Sequence, residues 1–255
     1  MRSVVAGGTG LVGSQVVDRL RTAGHEAVVA ARSEGVDLLT GEGLAAALEG
    51  ADAVIDATNT PAQTPEETVA FFRTVATNLL EAEQEAGVAH HVLLSITNLD
   101  RKGVGNAHTK GKQRQEEIVQ AGPVPWSIVR AAQFFEFGEL VSGWTREGDR
   151  VRIPPVRLQP VAASDVAQLL ADVSTGAPQG VVAIAGPEPV DFVELVERTF
   201  AARGEAVDIV SSFDGMPFAA DTPDGALLAP PDAVIGTTTL DQWLAERFSS
   251  PVSRP

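Results

Sequence analysis

Three glycines spaced G-x-x-G-x-x-G, Gly7, Gly10 and Gly13, stand between an apolar run (Val4-Val5-Ala6) and a helical apolar pattern from Leu11 to Leu20. In that strand–turn–helix context they allow a tight turn, close backbone approach and a helix N-terminus with free N–H groups. Those are the requirements for holding a dinucleotide's pyrophosphate. Gly7, Thr9, Gly10, Leu11, Val12 and Gly13 are therefore candidate cofactor contacts; the alternative is an ordinary glycine turn. Arg32 and Ser33 follow the second apolar run. An NAD-selective site usually puts a carboxylate there for the adenosine 2′-hydroxyl, whereas an arginine favours a 2′-phosphate, and so NADP(H) over NAD(H). Glu34 works against that inference, and the alternative is a solvent-facing arginine. Asp37 and Leu38 are expected beside the adenine, although Asp37 could equally close a turn.

Ala57-Thr58-Asn59 and Ser95-Ile96-Thr97 each end a run that reads as a buried strand. Ligands of open α/β sheets lie outside the carboxyl ends of the strands, so these groups are expected to face cofactor or substrate, or else to cap the next loop. Ala131, Gln133 and Phe134, after the strand ending at Arg130, are the expected edge of the cofactor site. Phe134, Phe135 and Phe137 read either as packing or as an apolar wall for a flat substrate, with Gln133 and Glu136 as polar contacts. Asp165 reads as a helix cap with Ser164 rather than as an acid.

These residues need an alternating scaffold, and the chain supplies one. Strands are predicted at 3–7, 27–31, 36–39, 53–57, 91–96 and 126–130, separated by helices at 11–23, 42–49, 65–86 and 109–121. Beyond Ala132 the rhythm loosens: helix at 134–144, extended chain at 151–159, helix from Ser164-Asp165 to 173, strand at 181–185, then helices at 190–202 and 240–248. Continuous apolar strands alternating with helices predict an α/β fold, a Rossmann-type doubly wound parallel sheet with a small interleaved C-terminal substrate lobe. The expected division is 1–133 as dinucleotide core, with 158–185 returning to it, and 134–157 plus 186–255 as the lobe.

Composition removes several alternatives. The 255 residues carry a net charge of −15, no cysteine and four histidines, two of them adjacent (His90, His91) and none at metal-ligand spacing. Thiol chemistry is excluded, a metal centre is not expected, and binding to nucleic acid or an anionic membrane is opposed. Neither a signal peptide nor a membrane span is expected, which makes the cytoplasm the expected location. All three lysines (Lys102, Lys110, Lys112) fall near Arg101 and Arg114, reading either as a solvated loop and helix start or as a cationic patch for an anionic ligand. Monomer and homodimer are not distinguishable.

The chain resembles the atypical short-chain dehydrogenase/reductase superfamily in its NmrA-like NAD(P)-binding branch. The matching pieces are Gly7-Gly8-Thr9-Gly10-Leu11-Val12-Gly13, Ala31-Arg32-Ser33, Ala51-Asp52-Ala53-Val54-Ile55-Asp56, Leu93-Leu94-Ser95, Lys112-Gln113-Arg114-Gln115-Glu116, Trp126-Ser127-Ile128-Val129-Arg130 and Gln133-Phe134-Phe135-Glu136-Phe137. They run in order through about residues 1–200. Reductases of this superfamily use Tyr-x-x-x-Lys, in which the lysine holds the nicotinamide ribose and lowers the tyrosine pKa. The resemblance gives Lys112 the ribose role, against a plain surface lysine, and puts His108 where the tyrosine should be. The chain contains no tyrosine at all. His108 reads either as a proton donor, weakened by the neighbouring lysine, or as a tolerated polar residue. Ser95 and Thr97 complete the candidate catalytic set. The implied function is an NADP(H)-dependent oxidoreductase acting on an apolar small molecule such as a quinone, enone or ketone. The alternatives are a cofactor sensor working through a protein partner and a non-redox enzyme on the same scaffold.

Overall fold

The computed structural model describes residues 1–62, 64–99, 106–214, 222–223 and 225–248. In chain order the elements begin β1 (Arg2–Ala6), α1 (Leu11–Thr22), β2 (Glu26–Ala30), α2 (Leu44–Leu48), β3 (Ala53–Asp56), α3 (Pro65–Ala86), β4 (His90–Ile96), α4 (Ala107–Ala121) and β5 (Trp126–Ala131). They continue α5 (Phe137–Thr145), β6 (Arg150–Ile153), β7 (Arg157–Leu158), α6 (Ala163–Thr175), β8 (Gly180–Ala185), β9 (Val190–Asp191), α7 (Phe192–Ala202), β10 (Asp208–Ser211), β11 (Val234–Ile235) and α8 (Leu240–Phe248). A seven-stranded sheet has the order β11-β8-β5-β4-β3-β1-β2. β1 pairs in parallel with both β2 and β3, and β3 in parallel with β4. The order reverses direction at β1, the topological switch point where such sheets take ligands.

The helices of this layer start and stop where local chemistry requires. Thr64 caps α3, its Oγ1 accepting from the Glu67 N–H, with Pro65 at the first helical position and a left-handed Gly87 at the end. Asn106 and Thr109 form a reciprocal capping box at the start of α4. By contrast α1 begins at Gly10 with no side chain capping it. Among the described residues no helix is long and apolar enough to cross a membrane.

Two compact units divide the chain. The first takes Met1–Leu99, Asn106–Arg130 and Ala163–Val182; the second is built on Ala131–Ala162 and the described part of Ala183–Pro255. Against the expected division, the first core ends at Arg130 rather than 133 and takes back 163–182 rather than 158–185. Hydrogen bonds within the second unit account for the difference: Val161 N donates to Gln133 O, Phe135 N to Val161 O, and Gln159 Nε2 to Gly186 O. The second unit has its own core of Phe135, Val141, Ile153, Phe192, Leu195, Trp243 and other apolar side chains.

Three local expectations need correction. Residues 36–39 are not a strand: Asp37 Oδ1 accepts from the N–H groups of Leu39 and Thr40 and turns the chain. The helix expected from Phe134 begins at Phe137, because Phe134 bridges to Val161. Asp165 lies inside the first turn of α6 instead of capping it, where its charge suits the helix dipole.

Candidate functional site

The glycine turn closes on itself. Gly8 N donates to Val5 O and Gly10 N to Gly7 O, at 3.2 and 2.9 Å. Gly7 holds φ +73°, and a Cβ there would stand 2.8 Å from the Ala57 carbonyl oxygen. A Cβ on Gly13 would overlap the Gly7 carbonyl, so α1 rests on the turn at backbone contact. Thr9, Gly10 and Leu11 are exposed at the uncapped start of α1, whereas Val12 and Gly13 are buried beneath it. Uncapped N–H groups and the positive end of the helix dipole form an anion cradle, and the residues present fit a dinucleotide's pyrophosphate. Arg32 and Ser33 form a short 3-10 turn after β2 and are exposed; among the described residues Arg32 makes no ion pair. Asp37 and Leu38 belong to the next turn, where the Leu38 carbonyl accepts from Asn78 Nδ2.

At the carboxyl ends of β3 and β4 the structure gathers a buried polar cluster. Lys112, on α4, is only 4% exposed. Its Nζ donates to Thr58 O at 3.3 Å, Leu94 O at 2.9 Å and Gln115 Oε1 at 2.9 Å, and lies 4.4 Å from the Phe72 ring centroid. Gln115 Nε2 donates to Asp56 Oδ2 at 2.7 Å, and Asp56 Oδ1 accepts from the N–H and hydroxyl of Thr58. Burial lowers the Lys112 ammonium to about 8, with Asp56 and Glu116 pulling it back up. Lys112 is thus no part of a surface cationic patch. Arg114 is paired with Glu117 on the surface, and Arg101 and Lys102 lie outside the described residues.

Ser95 is 1% exposed and its Oγ has no partner among the described residues; Thr97 is buried two residues on. Ala57 is half-buried and Asn59 exposed. His108 stands one turn before Lys112 on α4, its ring edge-on to Phe72 at 5.6 Å. Desolvation, and then the Lys112 charge, push it down to about 4. Near neutral pH about one molecule in a thousand would carry the imidazolium. His108 is therefore a neutral imidazole, able to donate one N–H but a poor proton source.

Ala131, Gln133 and Phe134 belong to the second unit, in which Ala131 is buried and Phe134 half-buried. Gln133 Oε1 and Glu136 Oε2 are buried acceptors without a donor among the described residues, while Trp243 Nε1 donates to Glu136 Oε1 at 3.3 Å. Phe135 packs on Trp243 and Phe137 stacks on Phe192, so these two phenylalanines are core. His90 and His91 are core residues too: His90 Nε2 contacts Ser127 Oγ, and His91 pairs with Glu83. Among the described residues no His, Asp and Glu group could hold a metal ion. Sequence reasoning passed over Asp56 and Gln115; an acid closing an otherwise apolar strand was the available signal, because a buried carboxylate demands partners.

The sequence profile of the NAD(P)H-binding family matches residues 7–175. The chain is 31% identical over 220 residues to a (4-alkanoyl-5-oxo-2,5-dihydrofuran-3-yl)methyl phosphate reductase of Streptomyces griseus subsp. griseus, covering 79% of this chain and 73% of that protein. The fold is similar to that of MoeE5 in complex with UDP-glucose and NAD, with a TM-score of 0.74, 20% identity and 98% of each chain covered. It is also similar to a short-chain dehydrogenase/reductase superfamily protein of Agrobacterium tumefaciens with bound NAD, with a TM-score of 0.69, 18% identity and 98% and 96% coverage.

Proposed function

The chain belongs to the NAD(P)H-binding family of atypical, NmrA-like short-chain dehydrogenases/reductases, and from that premise we propose that it is an NADPH-dependent reductase of a small apolar carbonyl compound. The observation that carries this reading is the bare glycine cradle at the start of α1 together with the exposed Arg32 just past β2, which makes no ion pair among the described residues. Gly7, Thr9, Gly10, Leu11, Val12 and Gly13 hold the pyrophosphate, and Arg32 with Ser33 takes the 2′-phosphate. Bound NADPH supplies a hydride. The relative from Streptomyces is named for a conjugated lactone that carries a methyl phosphate; the conjugated carbonyl favours an enone among the quinones, enones and ketones, while the phosphate departs from the proposed apolar class.

Without tyrosine, proton handling falls to weaker groups. The Ser95 hydroxyl, buried and without a partner among the described residues, donates to the substrate oxygen, and neutral His108 adds an N–H to the same developing charge. Thr97 lines the same strand end. Water then replaces the proton. Orientation and exclusion of bulk water are enough for cofactor-borne hydride transfer, so loss of the phenol slows the chemistry without removing it.

A sensor reading has one observation in its favour: every Lys112 N–H is already satisfied within the protein. The two readings separate in one assay. NADPH absorbance is followed with a panel of enones, quinones and ketones, beside a fluorescence titration with NADPH and NADH. Turnover with any of them carries the reductase; tight binding with no turnover across the panel sinks it in favour of the sensor.

A further inference from the structure

We infer that Asp56 and Gln115 form a positioning arm that fixes the Lys112 ammonium beside the carboxyl ends of β3 and β4, where its three N–H groups are taken by the protein and it favours an anionic cofactor through its charge, an inference resting on the reductase reading above. Four residues close a ring: Lys112 donates to Gln115, Gln115 to Asp56, Thr58 to Asp56, and Lys112 to the Thr58 carbonyl. All four are buried.

The chemistry of the ring allows one orientation only. An ammonium needs an acceptor and a carboxylate needs a donor, so the Gln115 amide must turn its oxygen to Lys112 and its nitrogen to Asp56. Two of the three Lys112 acceptors are main-chain carbonyls, Leu94 within β4 and Thr58 two residues past β3. Gln115 is the remaining one, three residues along the same helix, and it carries the influence of a negative charge on another element. A direct Asp–Lys pair would draw Nζ off the strand ends; the intervening amide keeps Nζ on them.

The charged and titratable neighbours of Lys112 are few. Among the described residues Asp56 faces it from β3, His108 and Glu116 lie on its own helix, and the Phe72 ring packs on it from α3; Asp56 is in turn coupled to Glu83 of α3 and His91 of β4. Glu116 is already held in a bidentate pair by Arg130, at 2.6 and 3.0 Å. Asp56 is the carboxylate joined to the lysine by a side-chain bridge, and Gln115 is that bridge. Burial favours loss of the lysine proton, and the arm opposes that loss.

Three lysines in the whole chain make the test direct. Lysine ε-methylene carbon resonances are followed by NMR against pH, with Lys112 assigned through Lys112→Gln. Gln115→Met and Asp56→Asn are compared with the control Gln113→Met, on the same helix but bonded to Leu99 O. Circular dichroism establishes that each variant is folded. The expected midpoint is about 8 in wild type and the control. It falls by about one unit in Gln115→Met and Asp56→Asn, and NADPH Kd at pH 8 rises about fivefold in step. An unchanged Lys112 midpoint in both variants overturns the arm. A midpoint that moves while the pH dependence of NADPH binding does not overturns its role in cofactor binding. A wild-type protein that binds neither NADPH nor NADH also overturns that role, through failure of the reductase reading, and the midpoints still report whether the arm exists.

Discussion

Glu83 on α3 and His91 on β4 form a sealed pair: Nδ1 lies 2.8 Å from Oε1, and neither side chain reaches solvent. Burial alone would lower the histidine, but the facing carboxylate outweighs it and holds His91 above its ordinary value. Breaking such a pair leaves an uncompensated polar group in the core, at a cost of about 3 kcal/mol or more. Glu83→Leu is expected to lose that much in chemical denaturation, with His91→Phe in the same background recovering part of it. A histidine held above its unfolded value contributes in full below the unfolded value of 6.5 and loses that contribution as pH rises through the folded one. The coupling energy from the double-mutant cycle should accordingly be larger at pH 6 than at pH 9.

Gly13→Ala forces a methyl into the Gly7 carbonyl, whereas Gly10→Ala meets that oxygen only at 3.3 Å. The first variant should have a lowered Tm and NADPH binding at least about tenfold weaker, because the turn must open to admit the methyl. The second should lose less Tm, because a shift of a few tenths of an ångström relieves its contact. Thermal melts beside fluorescence titrations separate the two effects, and equal Tm losses would contradict this account of the turn.

Arg32→Ala should discriminate between cofactors. A charge-assisted contact to the 2′-phosphate contributes roughly 1.5–3 kcal/mol, or about ten- to a hundredfold in Kd. NADPH should weaken by that factor while NADH stays within about twofold. Parallel losses for both nucleotides would remove Arg32 from the phosphate.

The rate should be indifferent to pH where a histidine acid would make it fall. With His108 at about 4, reduction is expected to be level between about pH 5.5 and 7.5, with no limb near 6.5. His108→Ala should lower kcat several-fold and leave NADPH Kd unchanged. A limb near 6.5 that disappears in His108→Ala would restore the imidazolium as the proton donor.

Much of the scaffold was legible because its signals are local. Apolar runs of four to seven residues bounded by Gly7, Gly24, Gly50 and Gly87 mark the first strands and helices, and α3 falls on Pro65–Ala86 as the pattern predicts. The 36–39 segment misled because three of its four residues are apolar and read as a short extended piece, while the side-chain bonds of Asp37 turn it. Of the candidate site, the glycine turn was readable from its spacing between an apolar strand and a helical pattern. The state of Lys112 and His108 was not, because it depends on Asp56 and Phe72, some 36 to 56 residues earlier in the chain and brought beside them only by folding. Gln115 gave no signal: a glutamine on a polar helix looks like a solvated one until its burial is seen.

The division of the chain between its two units also sets an order of events during synthesis. The first unit cannot be completed until α6 has left the ribosome, because α6 packs on α1, with Arg19 bonded to Gln168. By then Ala131–Ala162 has already emerged, and its apolar residues Val141, Val151 and Ile153 still lack Leu195, Leu240 and Trp243. At roughly 5–20 residues per second, the sixty or so residues between α6 and α8 leave that half-core exposed for several seconds. The nascent protein therefore passes through a stage with a nearly finished first unit and an adhesive, unfinished second one.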